Sequence, residues 1–145
     1  MTMMLSPHFS LAEFQVTNTG LPNVAGPTAR SRMTALCHEV LEPLREDLGQ
    51  PVHVTSGYRS REVNEEVNGS KTSQHMAGEA ADIAVDGAPA RDIAAAIVRL
   101  GLPFDQVIWY DPERGGHVHV SYTSRWNPRR QVLHAPAAGG YTEGL

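Results

Sequence analysis

The chain has 145 residues, 41% hydrophobic and 19% charged, a composition that fits one ordinary compact domain and excludes a disordered or collagen-like chain. A formal net charge of −4 supplies no clustered basic surface for phosphates, so nucleic acid is not an expected partner. The one cysteine, Cys37, excludes an internal disulfide and a cysteine-built zinc knuckle.

A domain of this size buries about 68–70% of its unfolded surface, so a metal here would serve chemistry, not folding. The opening MTMMLSPHFSLAEF lacks a basic start followed by an apolar run, and no stretch approaches the ~20 apolar residues of a membrane span. We therefore expect synthesis in the cytoplasm without a signal peptide, no membrane partner and a monomer. Residues 1–134 are expected to form a single domain, and the Gly/Ala-rich tail 135–145 to be loosely ordered.

In chain order, Ser10 and Glu13 predict a capping box opening a short helix to Phe14. From Thr28 to Leu48, Met33, Leu36, Cys37, Val40, Leu41, Leu44 and Leu48 recur at helical spacing. Pro43 should kink that helix and Gly49 end it. Val52–Thr55 reads as a strand entering a Ser56-Gly57 turn that carries Tyr58 and Arg59, and Arg61–Val67 as a short polar helix. Residues 68–78 read as a loop before a strand over Ala80–Val85. A second amphipathic helix begins near Pro89 and stops at Gly101. Gln106–Tyr110 and His117–Tyr122 are predicted to pair as a hairpin.

Seven histidines stand against a single lysine. In HVHVSY, strand alternation puts His117, His119 and Ser121 on one face and leaves Val118 and Val120 for the core. Upstream, His75 lies in a loop and Asp82 on a strand otherwise made of Ala, Ile and Val. A carboxylate there is costly unless it is paired, hydrogen-bonded or metal-bound. Two imidazoles, one carboxylate and a fourth position open to water make the donor count of a catalytic zinc site, and His75, Asp82 and His119 could supply it. Small residues at Gly78, Ala80 and Ala81 would leave room for close approach. His8, His38, His53 and His134 read as ordinary structural histidines.

The string Ser73-x-His75-x-x-Gly78-x-Ala80-x-Asp82 followed by His117-x-His119 resembles the signature of the D-alanyl-D-alanine carboxypeptidase family of zinc metallopeptidases, which includes phage endolysin relatives. Ser56-Gly57-Tyr58-Arg59-Ser60 and Asp105-Gln106-Val107-Ile108 extend the resemblance, which runs from about Phe9 to Tyr122. It implies an α+β fold with a small, mostly antiparallel sheet carrying the zinc site and helices packed against it. By that resemblance Zn2+ is held by His75, Asp82 and His119, and Arg59 steadies the polarised carbonyl or a substrate carboxylate.

Part of the wider family places an acidic residue three positions before the last zinc ligand, where this chain has Gly116. His117 is the favoured proton relay, with Asp111 or Glu113 of the preceding turn as the alternative. Ser73 and Gln74 are candidates for orienting the ligands or for capping the loop, Trp109 and Tyr110 for lining a groove or packing, and Arg125, Arg129 and Arg130 for an anionic wall or plain solvation. The implied activity is hydrolysis of a peptide bond in peptidoglycan stem peptides, D-Ala-D-Ala carboxypeptidase-like, at the cell wall and reached by a phage-type release. The alternatives are cleavage between L-Ala and D-Glu, or a non-catalytic, zinc-containing wall-binding module of the same fold.

Overall fold

A computed structural model describes residues 3–145. Its centre is a six-stranded sheet in the order β3-β4-β6-β5-β7-β8, made of β3 (His53–Ser56), β4 (Ala80–Ala84), β5 (Gln106–Tyr110), β6 (Val118–Ser121), β7 (Gln131–Ala135) and β8 (Thr142–Glu143). Every neighbouring pair is antiparallel except β5 with β7, which is parallel. A small separate ladder joins β1 (Met4–Ser6) to β2 (Phe9–Ser10). The architecture is α+β with a mostly antiparallel sheet.

Alternation decides which face of the sheet meets the helices. Ala81 and Ile83 of β4, Val107 of β5, and Val118 and Val120 of β6 are fully buried. They form one core with Met33, Leu36, Val40, Leu41 and Leu44, and with Ile93, Ala94 and Ile97 of α6 (Ala90–Arg99). The intervening residues of β4 and β6, Asp82 and His119, therefore point to the opposite face. The expected hairpin forms, with Val107, Ile108 and Trp109 opposite Val120, His119 and Val118.

The first long helix is more broken than its periodicity predicts. It runs as α2 (Pro27–Leu36), a π-helical turn over Cys37–Leu41, and α3 (Glu42–Leu48). Pro43 explains the wide turn. Its ring would collide with the carbonyl four residues back and it has no N–H to donate, so the helix relaxes to an i→i−5 bond from Glu42 N to Cys37 O just before it. Gly49, at φ +64°, ends α3 in the left-handed region. The capping box of α1 (Leu11–Phe14) forms as expected: Glu13 N donates to Ser10 Oγ and Ser10 N to the Glu13 carboxylate, both at 3.2 Å.

The sheet is extended by the end of the chain. Gln131–Ala135 is a strand, and 135–145 turns back through Gly139 and Gly140, both at positive φ, to add β8 against β7. Trp109 Nε1 donates to Gly144 O at 3.0 Å and so ties this segment to β5. Among the described residues no helix is long and apolar enough to cross a membrane.

Candidate active site

Asp82 and His119 are direct cross-strand partners in the β4–β6 ladder, which places their side chains side by side on the face away from the helices. Beyond α4 (Arg61–Glu66), His75 comes from a short helix, α5 (Gln74–Ala77), inside the stretch read from sequence as loop. Ser73 caps it, accepting from His75 N at 3.2 Å, and Gly78 closes it at φ +79°. Gly78 also touches α2: a Cβ there would lie 2.4 Å from Ala29 O. A glycine is needed both for the turn and for the close docking that brings His75 to the sheet.

The three candidate ligands meet. One donor atom from each of His75, Asp82 and His119 lies within 4.8 Å of the other two. Asp82 Oδ1 is 3.1 Å from His119 Nδ1 and 3.3 Å from His75 Nε2. Ligands at zinc–donor distances of 2.0–2.2 Å in a tetrahedron would stand about 3.4 Å apart, so these separations match a tetrahedron's edges. His75 Nδ1 donates to Gly57 O at 2.6 Å, which fixes the proton on that nitrogen and leaves Nε2 with a lone pair for a metal. The β3–β4 register shifts between Val54 and Ser56, so that Ser56 pairs with Asp82 and the next residue, Gly57, presents its carbonyl to His75.

Electrostatics set the protonation states a metal ligand needs. Burial alone would raise the Asp82 pKa, but the His119 and His75 imidazoles set close around it hold its carboxyl well below the usual carboxylate range. Burial pushes His119 down, against the opposing pull of Asp82, and favours the neutral imidazole. A deprotonated carboxylate and neutral imidazoles are the metal-binding forms. The donor set and spacing therefore fit a zinc ion.

Arg59 reaches the same carboxylate from the far side, its guanidinium 3.6 Å from Asp82 Oδ2 and largely buried. Its loop is clamped by Asn23, a buried residue that sequence reasoning missed. Asn23 Nδ2 donates to Tyr58 O at 2.9 Å and its Oδ1 accepts from Ser60 N at 2.7 Å, one bond on each side of Arg59. Arg59 N donates to His75 O at 3.1 Å. Asn23 lies in a Gly/Pro/Asn-rich loop, and only the fold brings it within reach of residue 59.

His117 is not one of the converging donors. It is half-buried at the mouth of β6, its ring stacked on Tyr110 with centroids 4.3 Å apart. Burial lowers its pKa, partly offset by the Asp82 charge. Of the alternative acids, Asp111 is committed elsewhere, accepting from His134 Nε2 at 2.6 Å and Ala137 N at 2.9 Å. Glu113 is exposed on the turn.

The Gly57 carbonyl orients the His75 ring, and Ser73 takes the capping role, its other reading. Trp109 packs, stacked on His134 at 3.6 Å. Arg129 and Arg125 are not a free basic cluster: each is held by a buried carboxylate, Asp105 and Glu79 respectively.

A family model for peptidase M15 matches residues 7–121, four-fifths of the chain, including His75, Asp82, His119, Arg59 and His117. The chain belongs to the peptidase M15 family. M15 enzymes are zinc-dependent metallopeptidases of the D-Ala-D-Ala carboxypeptidase type, and the His-His-Asp group of this M15 chain is a set that could hold that metal. No curated protein matches it.

Proposed function

We propose that this M15 chain is a zinc-dependent peptidase that hydrolyses a peptide bond in the stem peptides of peptidoglycan, with D-Ala-D-Ala carboxypeptidase-like specificity. The observation that carries the reading is the convergence of one atom each from His75, Asp82 and His119 within 4.8 Å, inside a chain whose family performs zinc-dependent peptide hydrolysis.

In this reading His75 Nε2, Asp82 Oδ1 and His119 Nδ1 hold the zinc. When bound, the ion would lower the pKa of water toward ~7 and polarise the scissile carbonyl. The chain's own residues do the rest. Gly57 O keeps the His75 ring turned toward the site. Arg59, a planar cation with little solvent around it, stabilises negative charge developing on the carbonyl oxygen or anchors a substrate carboxylate. His117 accepts a proton from the attacking water and returns it to the leaving amine, a task suited to an imidazole near neutral pH. The commitment of Asp111 to His134 supports this assignment over the acidic alternative.

The test is digestion of murein sacculi and defined muropeptides by zinc-loaded protein, followed by mass spectrometry. Release of D-Ala is the expected result. Products split between L-Ala and D-Glu would move the specificity to endopeptidase cleavage. Stem-peptide binding without any turnover would refute the peptidase and leave a zinc-containing binding module.

A further inference from the structure

The turn carrying His117 is bolted to the end of the chain, which lies beyond the family match. Tyr110 lies nearly parallel on the His117 ring, at an interplanar angle of 16°. At the Nδ1 edge of that ring a Cβ on Gly115 would fall 2.8 Å away, so the imidazole is confined between an aromatic face and a glycine turn. Neither His117 nitrogen has a hydrogen-bond partner among the described residues, so this packing, not a bond, sets its orientation.

Tyr110 is itself braced. Tyr141 meets it edge-on, with centroids 6.5 Å apart. The Arg114 guanidinium lies 5.6 Å from the Tyr110 centroid and 5.2 Å from that of Tyr141, within reach of cation–π attraction. Arg114 also donates to Gly140 O at 2.7 Å, and Asp111 at the start of the turn binds His134 and Ala137 N. The turn between β5 and β6 contains Gly115 and Gly116, both at positive φ. Without cross-links such a turn has little to hold one geometry.

We propose that Tyr110, Arg114 and Tyr141 are positioning residues that hold the His117 ring in its proton-exchanging orientation, making residues 136–145 part of the catalytic apparatus. This inference rests on the peptidase reading and on His117 as its proton relay. Misplacing a catalytic group by ångströms costs up to about 10²-fold, and partial loosening of a ring costs less.

The test compares Tyr141→Ala, Tyr110→Leu and Tyr110→Phe in the zinc-loaded protein. Tyr141 is 54% exposed, so its truncation leaves the fold intact even if Tyr110→Leu fails to fold. Tyr141→Ala and Tyr110→Leu should lower kcat about tenfold with KM and zinc content unchanged, and Tyr110→Phe should keep the parent kcat. In NMR spectra the His117 ring protons should show an upfield aromatic shift that Tyr110→Leu abolishes. Parent kcat in Tyr141→Ala, or a loss confined to KM, overturns the proposal. An inactive parent sinks the peptidase reading instead, and an unshifted His117 ring then still refutes the brace.

Discussion

Replacing Gly78 with alanine separates two costs that the site imposes on its backbone. Gly78 sits at φ +79°, where an alanine loses roughly 1–2 kcal/mol to its own Cβ. That Cβ would also lie 2.4 Å from Ala29 O and 3.0 Å from Ala29 C and Cα. These are backbone atoms of α2 that cannot swing aside, so α5 must lift, at a further 1–3 kcal/mol or so. The control is Gly87→Ala: φ is +75° and nothing lies within 4 Å of the added carbon, so it carries the first cost alone. At about 3 °C per kcal/mol for a chain of this length, metal-free Gly78→Ala should melt about 6–15 °C below the parent, and Gly87→Ala about 3–6 °C below. Thermal unfolding followed by circular dichroism with chelator present reads this without metal linkage. Because α5 carries His75, Gly78→Ala should also bind zinc more weakly, and Gly87→Ala should not. Equal melting temperatures for the two variants would refute the claim that close docking of α5 on α2 places His75.

Three further outcomes are expected. His117→Ala should retain zinc and lose about 10²–10⁴ in kcat, whereas His75→Ala should lose zinc and activity together; metal analysis beside the muropeptide assay separates them. Arg59→Lys keeps the charge but not the planar fork, and kcat/KM should fall about 10²-fold with zinc retained; parent kcat/KM would remove Arg59 from the mechanism. Burial would raise the Asp105 pKa, but hydrogen bonds from Arg129 and Trp126 overcome this and lower it. A depressed carboxyl gives stability that is full above the unfolded value of about 3.9 and is lost as pH falls through the folded one. Asp105→Asn should therefore cost about 1.5–3 kcal/mol at pH 7, and urea unfolding should show the gap to the parent narrowing in acid; a gap that is constant with pH would contradict the assignment.

The chemistry of this site was more legible in the sequence than its supports. His119 and Asp82 lie on strands whose alternation alone sends them to one face, and the cost of a carboxylate among Ala, Ile and Val already asked for a partner. The capping box at Ser10 and the disturbance at Pro43 are local effects, and local reasoning found both, although the proline produced a π-helical turn rather than a simple kink. What escaped depends on distant neighbours. β7 becomes a strand because β5 offers it a parallel edge, and nothing in Gln131–Ala135 announces a partner more than twenty residues upstream. Arg125 and Arg129 looked solvated because Glu79 and Asp105, which bind them from inside the fold, lie 46 and 24 residues away. Asn23 is invisible as a clamp for the same reason.

In the proposed site one metal ion is gripped by side chains from α5, β4 and β6. X-ray absorption spectroscopy of the protein loaded with one equivalent of zinc tests it most directly, alongside the His75→Ala, Asp82→Ala and His119→Ala variants. The expected parent spectrum shows two imidazole nitrogens and light oxygen donors at about 2.0–2.2 Å, and each variant should lose its own donor and the bound ion. A parent spectrum without two imidazoles, or variants that keep the parent's coordination, would contradict it.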